Sequence, residues 1–376
     1  MEKTDLERTG IHKLIVLIAM ALIGSCSQKS DTLQKFTAAD SAFVYQGRIH
    51  KVNDSSVAFI GPASGMTTLV DGASCSIHLR SKAEYNYITL VVDEEHLGRF
   101  KVEAGGTVLP ITFKKLNKSH KLELYKATEA SSKALLFEGI TAKAVSSFSS
   151  TNELKIEFIG NSISCGAAMD NSILPCEEGA YLDHGNAYLG YAPRLARALN
   201  ANYIVNAVSG YGAYRGWNTE EEEKHTLPAV YENTYLDDTA NLPWDALAFQ
   251  PDIISICLGT NDLSAGDGIK ERLPFNKQTF LNRYIAFIES LYRLHPRTKI
   301  VLLNSPMVEG EKNKILVGCL KEIQTHFNSV ASRPPIQIFQ YKQTYTNGCI
   351  THPSVEDHEA MAEELLPFFK KVMALK

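Results

Sequence analysis

The C-terminal part of the chain alternates strand-length, largely apolar runs with helical stretches. The clearest helical stretch, residues 276–295, places its apolar side chains on one face at helical spacing. Runs that are apolar on both sides are typical of strands buried in a parallel sheet. Five such repeats after Thr151 predict an α/β fold, an open, doubly wound, five-stranded parallel sheet with its site outside the carboxyl ends of the strands. The runs are KIEFI, YIVNA, DIISICL, KIVLLN and IQIFQ.

The N-terminal part shows a different pattern, in which short runs alternate between apolar and polar residues. Segments such as VAFIG, YITLVVD and HKLELYKAT are interrupted by turn residues about every eight to twelve positions. This spacing predicts an all-β sandwich. The polar stretch SSFSSTN then marks a domain edge. We therefore expect a β-sandwich over residues 43–148 and the α/β domain over residues 149–376.

The first thirty residues have the pattern of an export signal. Basic residues precede the apolar run LIVLIAMALIG, which is too short for a mature membrane-spanning helix. The stretch LIGSC, ending at Cys26, resembles a bacterial lipobox, whose cysteine becomes the lipidated first residue of the mature protein. A plain secretory signal with an incidental cysteine is the alternative. We expect a signal peptide and lipobox over residues 1–26, a linker over residues 27–42, and an exported lipoprotein facing the periplasm or the cell surface.

Composition and charge limit the partners of the chain. Its 376 residues carry a formal net charge of -4, with 44% hydrophobic and 21% charged residues, an ordinary globular composition. The sequence has no basic stripe, which argues against nucleic acid as a partner. We expect a monomer that contacts the membrane through its lipid anchor only.

Motifs for a metal or nucleotide cofactor are absent from the sequence, which contains no HExxH, Walker loop, calcium loop or CxxC spacing. Gly210, Gly212 and Gly216 imitate a dinucleotide-binding loop, but the third glycine comes one position late and a polar acidic run follows. We expect the protein to need no cofactor and no metal ion.

Six cysteines remain after Cys26, and an exported protein can keep disulfides among them. Cys165 and Cys176 are close enough in sequence to close a loop, but the sequence does not decide the pairing. Cys257 lies in an apolar run and has the pattern of a packed thiol. The six are Cys75, Cys165, Cys176, Cys257, Cys319 and Cys349.

Four polar segments follow predicted strands, where a doubly wound fold builds its crevice. They are GNS at 160–162, SGYG at 209–212, GTND at 259–262 and THPS at 351–354. Each alone is a common backbone pattern, and Ser162 alone is equally well explained as the polar end of a buried strand. Together they supply a serine, backbone N–H groups, an amide and an imidazole, which is what nucleophilic attack on an acyl group needs.

In this order the four segments resemble those of the SGNH, or GDSL-type, hydrolases. The resemblance implies that Ser162 is the nucleophile and His352 the base. It also implies an oxyanion hole formed by the Ser162 N–H, a glycine N–H from Gly210 or Gly212, and the Asn261 amide. His358 is a second candidate for the base, but it lies where a helix is predicted to begin, and we expect His352.

Two positions depart from the usual pattern of that family. Asn161 stands before the nucleophile, where an aspartate is usual. The third member of the triad is normally an aspartate three residues before the histidine, and here that residue is Cys349. A wrongly oriented imidazole loses about 10⁴-fold in turnover, so another group must accept the Nδ1 proton. We therefore predict a Ser162–His352 dyad whose imidazole is oriented by a backbone carbonyl at or near Cys349.

The N-terminal domain extends the resemblance. Its segments YQGRI, HKLELYKATEAS and FEGI resemble the jelly-roll domain that precedes the hydrolase domain in carbohydrate esterase family 2. Members remove acetyl groups from plant-wall polysaccharides such as xylan and glucomannan, and several work with a dyad. The resemblance thus implies an acetylxylan esterase-like enzyme acting on an acetylated polysaccharide or oligosaccharide. Such enzymes stack aromatic residues on sugar rings, and Tyr211 and Trp217 are our candidates, with loop anchoring as the alternative.

Two other functions remain compatible with the sequence. The first is an SGNH hydrolase of another acyl ester or thioester, for example a lysophospholipase-like enzyme. The second is a non-catalytic glycan-binding lipoprotein, in which the altered residues Asn161 and Cys349 reflect lost chemistry. Acyl-chain profiling would separate the first from an acetylesterase, and the effect of replacing Ser162 would identify the second.

Overall fold

The structure, a computed structural model, describes residues 32–114, 118–220, 224–237, 242–329 and 333–374. The predicted signal peptide and Cys26 lie outside the described residues, as does the first part of the predicted linker. Among the described helices, none combines the length and the apolar character that a membrane crossing requires.

An antiparallel β-domain of ten strands forms the N-terminal part of the described chain. The long strand β5 pairs with β9 before Gly72 and with β8 after it, so that one strand takes part in both layers. Phe59, Ile77, Leu124 and Phe137 pack between the layers. This confirms the predicted β-sandwich. The strands are β1 (Gln34–Phe36), β2 (Val44–Gln46), β3 (Ile49–Asn53), β4 (Ser56–Phe59), β5 (Gly65–Ser81), β6 (Tyr85–Val92), β7 (Glu95–Glu103), β8 (Thr107–Thr112), β9 (Ser119–Lys126) and β10 (Leu135–Ser146).

The position of β1 differs from the sequence prediction, because it lies within residues 27–42, the predicted linker. It pairs antiparallel with β10, with Gln34 opposite Ala142 and Phe36 opposite Ile140. A three-residue strand with a single apolar residue gives no detectable alternation. Residues 34–36 therefore belong to the β-domain.

A parallel sheet with helices on both faces forms the C-terminal part. Its strand order is β12-β11-β13-β14-β15, with every neighbour parallel, which confirms the predicted five-stranded sheet. The strands are β11 (Lys155–Gly160), β12 (Asn202–Ala207), β13 (Ile253–Ile256), β14 (Lys299–Leu303) and β15 (Gln337–Phe339). The α-helices are α1 (Ser162–Cys165), α2 (Tyr191–Ala198), α3 (Leu227–Val230), α4 (Lys277–Leu294), α5 (Gly310–Asn328) and α6 (Val355–Ala374).

The two faces of this sheet bury separate hydrophobic cores. Helices α4 and α5 cover one face, to which β13 contributes Ile254 and Ile256. Helices α2 and α6 cover the other, to which Ile253 of β13 and Cys257, the residue directly after β13, contribute. Successive residues of a strand point to opposite faces, so a strand covered on both sides is largely apolar along its whole length. This is why the five apolar runs were readable as strands.

Candidate active site

Ser162 stands just after the carboxyl end of β11, an inner strand of the parallel sheet, as the first residue of α1. Asn161 caps that helix, because its side-chain Oδ1 accepts the N–H of Ile163 at 3.2 Å. Asparagine and aspartate are equally good helix caps, so the departure from the family pattern at this position keeps its structural role. A Cβ on Gly160 would lie 2.1 Å from Ser164 Oγ, so the turn into α1 requires a glycine there.

His352 contacts Ser162 directly. Its Nε2 lies 3.0 Å from Ser162 Oγ, and its Nδ1 lies 3.0 Å from the carbonyl oxygen of Ile350. A carbonyl only accepts, so Nδ1 carries the hydrogen and the Nε2 lone pair faces the serine. Burial lowers the pKa of His352, against the opposing effect of the Ile350 hydrogen bond. The imidazole is therefore predominantly neutral at pH 7, as a general base must be.

The loop before His352 is held by main-chain hydrogen bonds and a disulfide. The N–H of Cys349 donates to Ala168 O at 2.8 Å, and Cys349 is bonded to Cys176. The pairing that the sequence left open is thus Cys176 with Cys349, and Cys165 is a buried free thiol. Cys257, the predicted packed thiol, is also free and buried.

The second candidate histidine, His358, lies elsewhere. It is fully buried in α6, and its Nδ1 accepts the N–H of Tyr191 at 3.1 Å. Burial lowers the pKa of His358 to about 3, so it is a neutral acceptor that joins α6 to α2. Its neighbour Asp357 accepts the main-chain N–H groups of Asn347 and Ser354 at 2.8 and 3.1 Å, and so fixes both ends of the histidine loop.

The second and third segments meet beside Ser162. The amide Nδ2 of Asn261 donates to Tyr211 O at 2.8 Å, which uses one of its two hydrogens. Gly210 adopts a positive φ of 78° in the turn after β12 and lines the cavity in front of Ser162. The N–H of Gly212 instead donates to His225 O at 3.2 Å. Of the two candidate glycines, Gly210 is therefore the one placed to offer an N–H to a ligand.

A buried carboxylate, Asp262, ties these two segments together. It accepts the main-chain N–H groups of Ala213, Tyr214 and Arg215 at 2.8 to 3.3 Å. Burial raises the pKa of Asp262, and these N–H groups oppose that shift. This role was not predicted from the sequence, although Asp262 directly follows Asn261 in GTND.

The β-domain supplies a second buried carboxylate to the site. Glu129, just after β9, accepts the N–H of Ser209 at 2.6 Å, and Ser209 directly precedes Gly210. The main-chain carbonyl of Glu129 in turn accepts a hydrogen bond from Lys126, which also donates to Ile60 O at 3.0 Å. Burial lowers the pKa of Lys126 to about 7. The glycine turn of the hydrolase domain is thus held by a loop of the N-terminal domain.

The cavity in front of the dyad has a volume of about 890 Å³. Trp217, one of the two predicted aromatic residues, lines it and is 46% exposed. The other, Tyr211, packs against the core instead, with its ring 5.5 Å from that of His225. Tyr181, which was not predicted from the sequence, also lines the cavity, with its ring 6.0 Å from the His352 ring. Its hydroxyl lies 3.2 Å from Ser209 Oγ.

Comparison with known proteins identifies the hydrolase domain. The profile of the GDSL-like Lipase/Acylhydrolase family matches residues 158–361, a span that includes Ser162, Asn261 and His352. The chain belongs to the GDSL-like hydrolases. In this GDSL-like hydrolase the preceding domain is also recognised, because the carbohydrate esterase 2 N-terminal profile matches residues 45–151.

Individual relatives align along nearly the whole GDSL-like hydrolase. The acetylxylan esterase/glucomannan deacetylase of Cellvibrio japonicus is 25% identical over 96% of this chain and 99% of that protein. A solved family two carbohydrate esterase from the same organism has a TM-score of 0.80 and 25% identity, covering 92% of this chain and 99% of that chain. One from Clostridium thermocellum, solved in complex with cellohexaose, has a TM-score of 0.79 and 25% identity, covering 89% and 100%. These likenesses confirm the resemblance to carbohydrate esterase family 2 and the predicted enzyme class, a carboxylic ester hydrolase.

Proposed function

We propose that this protein removes O-acetyl groups from plant-wall polysaccharides such as xylan or glucomannan. The observation that carries the proposal is the 3.0 Å contact between Ser162 Oγ and His352 Nε2 at the edge of an open cavity. The aligned acetylxylan esterase/glucomannan deacetylase supports the choice of substrate class.

In the proposed acylation step Ser162 Oγ attacks the acetyl carbonyl carbon while His352 Nε2 takes the hydroxyl proton. The N–H groups of Ser162 and Gly210 and the second amide hydrogen of Asn261 stabilise the tetrahedral oxyanion. The intermediate collapses as His352 returns the proton to the departing sugar oxygen, which leaves as a hydroxyl. The product is an acetyl ester on Ser162.

In the proposed deacylation step water attacks that ester, and His352 takes the proton of the water and returns it to Ser162 Oγ as acetate leaves. The Ile350 carbonyl acts in both steps. It keeps the hydrogen on Nδ1, and its dipole stabilises the imidazolium that forms after each proton transfer. The neutral carbonyl of Ile350 thus takes the place of the charged aspartate that a catalytic triad would have.

Trp217 is the proposed sugar-stacking residue, because its exposed ring lines the cavity. Trp217→Ala should raise KM for acetylated xylan several-fold while leaving kcat on 4-nitrophenyl acetate unchanged, since that substrate has no sugar. Tyr211→Phe is the matched control, because the Tyr211 ring packs against the core. Equal losses of kcat on both substrates would argue against stacking.

We further propose that the enzyme is an exported monomer anchored through a lipid on Cys26. The sequence of the signal region supports the export and the lipid anchor. Membrane fractionation of wild type and Cys26→Ala tests the anchor, and recovery of both in the same fraction would contradict it. Size-exclusion chromatography with light scattering tests the monomer.

The decisive experiment for the activity is acetate release from acetylated xylan and glucomannan by wild type, Ser162→Ala and His352→Ala. Both variants should lose nearly all activity, and if both match wild type the mechanism is wrong. Esters of increasing acyl length distinguish a hydrolase of other acyl groups, since an acetylesterase should lose activity beyond short chains. A wild type as inactive as Ser162→Ala that still binds glycan would make the protein a binding module.

A further inference from the structure

The loop that orients His352 is joined covalently to a second loop of the site. Cys349 begins the turn Cys349–Thr351, which contains the carbonyl that accepts from His352. Its disulfide partner Cys176 is 173 residues away, in the irregular segment that leads to Tyr181. Because Tyr181 contacts the His352 ring, one bond restrains two of the segments that surround the imidazole.

This turn has little to hold it in place by itself. Ile350 and Thr351 have φ angles of 53° and 55°, in the left-handed region that β-branched residues disfavour. The Ile350 side chain is 64% exposed, so apolar packing does not anchor the residue. Such a backbone persists only where its surroundings fix it.

External restraints act on the loop on both sides of the turn. On the N-terminal side, the Cys349 N–H donates to Ala168 O, the Asp357 carboxylate holds Asn347, and the disulfide holds Cys349. On the C-terminal side, the same carboxylate accepts the N–H of Ser354, and the His352 ring contacts Ser162. Within the loop, the N–H of Gly348 donates to His352 O and that of His352 to Cys349 O, at 2.7 and 3.1 Å. The disulfide and the hydrogen bond to Ala168 both act at Cys349, the residue directly before Ile350, and the disulfide is the covalent one of the two.

We propose that the Cys176–Cys349 disulfide positions His352 by holding the Ile350 carbonyl at Nδ1, at the point in the sequence where a triad would have its carboxylate. The proposal rests on the esterase function proposed above. Charge-assisted hydrogen bonds are about twice as strong as neutral ones, so a carboxylate tolerates more displacement. A neutral carbonyl depends on distance and angle, and a covalent restraint supplies them.

Loss of the disulfide should lower kcat about 10- to 100-fold, because misorientation of the imidazole costs up to about 10⁴-fold and the loop keeps its other restraints. KM should change less than threefold, since Gly210, Trp217 and Asn261 line the cavity from segments that the disulfide does not join. A loosened loop admits water to His352, so the lowered pKa of this histidine should rise toward about 6.5. The base must be neutral, so the acidic limb of kcat/KM should move to higher pH.

The test treats the folded enzyme with dithiothreitol, which reduces the disulfide to two thiols and itself becomes a cyclic disulfide. Mass spectrometry after alkylation verifies the reduction, which is feasible because Cys176 is partly exposed. The double variant Cys176→Ser with Cys349→Ser should reproduce the reduced enzyme and be insensitive to dithiothreitol. Cys75→Ser replaces a buried free thiol in the β-domain and should leave kcat and the acidic limb unchanged.

Fully reduced enzyme with wild-type kcat and an unmoved acidic limb would overturn the proposal. NMR titration of the His352 imidazole in oxidised and reduced protein gives a readout that needs no activity. If wild type releases no acetate, the proposed function fails, while an unchanged His352 pKa on reduction separately refutes the positioning role. If the double variant does not fold, reduction of the folded wild type still decides.

Discussion

Ser162 and His352 meet side by side but are held by different kinds of structure. Ser162 is 7% exposed, at the end of a strand that is hydrogen-bonded on both sides. Its neighbouring donors are fixed by two buried carboxylates, Asp262 and Glu129. His352 lies on an irregular loop with a left-handed turn and a disulfide. The sheet fixes the serine side as part of the core, whereas the histidine side needs its own local restraints.

The largest loss of kcat is expected when Ser162 or His352 is replaced, and the double variant tests whether these two residues act as one unit. Ser162→Ala and His352→Ala should each lower kcat by about 10⁴-fold or more, and the double variant should be no slower than either. Ser164→Ala is the matched control on the same helix, because this serine bonds Tyr191 instead and should keep kcat within a few-fold. Losses that multiply in the double variant would mean that the two residues act independently.

The next effect concerns the donors on the serine side alone. Asn261→Ala should lower kcat about 100- to 1,000-fold, the usual effect of removing one oxyanion donor. Asn261→Asp should be slower still, because it also places a negative charge beside the developing oxyanion. Asn261→Ala should not move the acidic limb of kcat/KM, in contrast to reduction of the disulfide. Asn218→Ala, which removes a bond to Asp267 near the surface, is the control.

The sequence predicted the serine side better than the histidine side. Ser162 and Asn261 follow apolar runs, and the carboxyl ends of parallel strands meet at one edge, so chain order alone brought them together. The bond between Cys176 and Cys349 depends on the path of two irregular loops, and the path of such loops cannot be predicted from periodicity in the sequence. Tyr181 was missed for the same reason, and Glu129 because it reaches the site from the other domain.

A smaller effect is expected from the contact between the domains. Glu129→Ala leaves the N–H of Ser209 without its acceptor and should lower kcat about tenfold, since a buried unpaired donor costs roughly 1–3 kcal/mol and the Gly210 turn would shift to avoid it. Glu129→Gln keeps an acceptor oxygen and should recover most of the rate. Glu123→Ala, a carboxylate on β9 that bonds Tyr125, is the control. Equal rates in the Ala and Gln variants would show that the hydrogen bond is not what matters.

Replacing His358 should have the smallest effect on kcat. This residue joins α6 to α2 beneath the histidine loop, so its replacement tests the supporting helices separately from the catalytic residues. The pKa of His358 is about 3 in the folded protein, below the ordinary value of about 6.5. As the pH falls, this histidine is therefore protonated in the unfolded chain at a higher pH than in the folded protein. This contribution to stability is complete above about pH 6.5 and is lost as pH falls toward 3, by about 2 kcal/mol at pH 5.

His358→Asn retains an acceptor for the Tyr191 N–H and does not titrate. Its unfolding free energy, from urea titrations at pH 7.5 and 5, should therefore fall less on acidification than that of wild type, while kcat at pH 7.5 stays the same. An equal fall in both proteins would place the acid sensitivity in other groups, and a large loss of kcat would mean that the scaffold and the histidine loop are not separable.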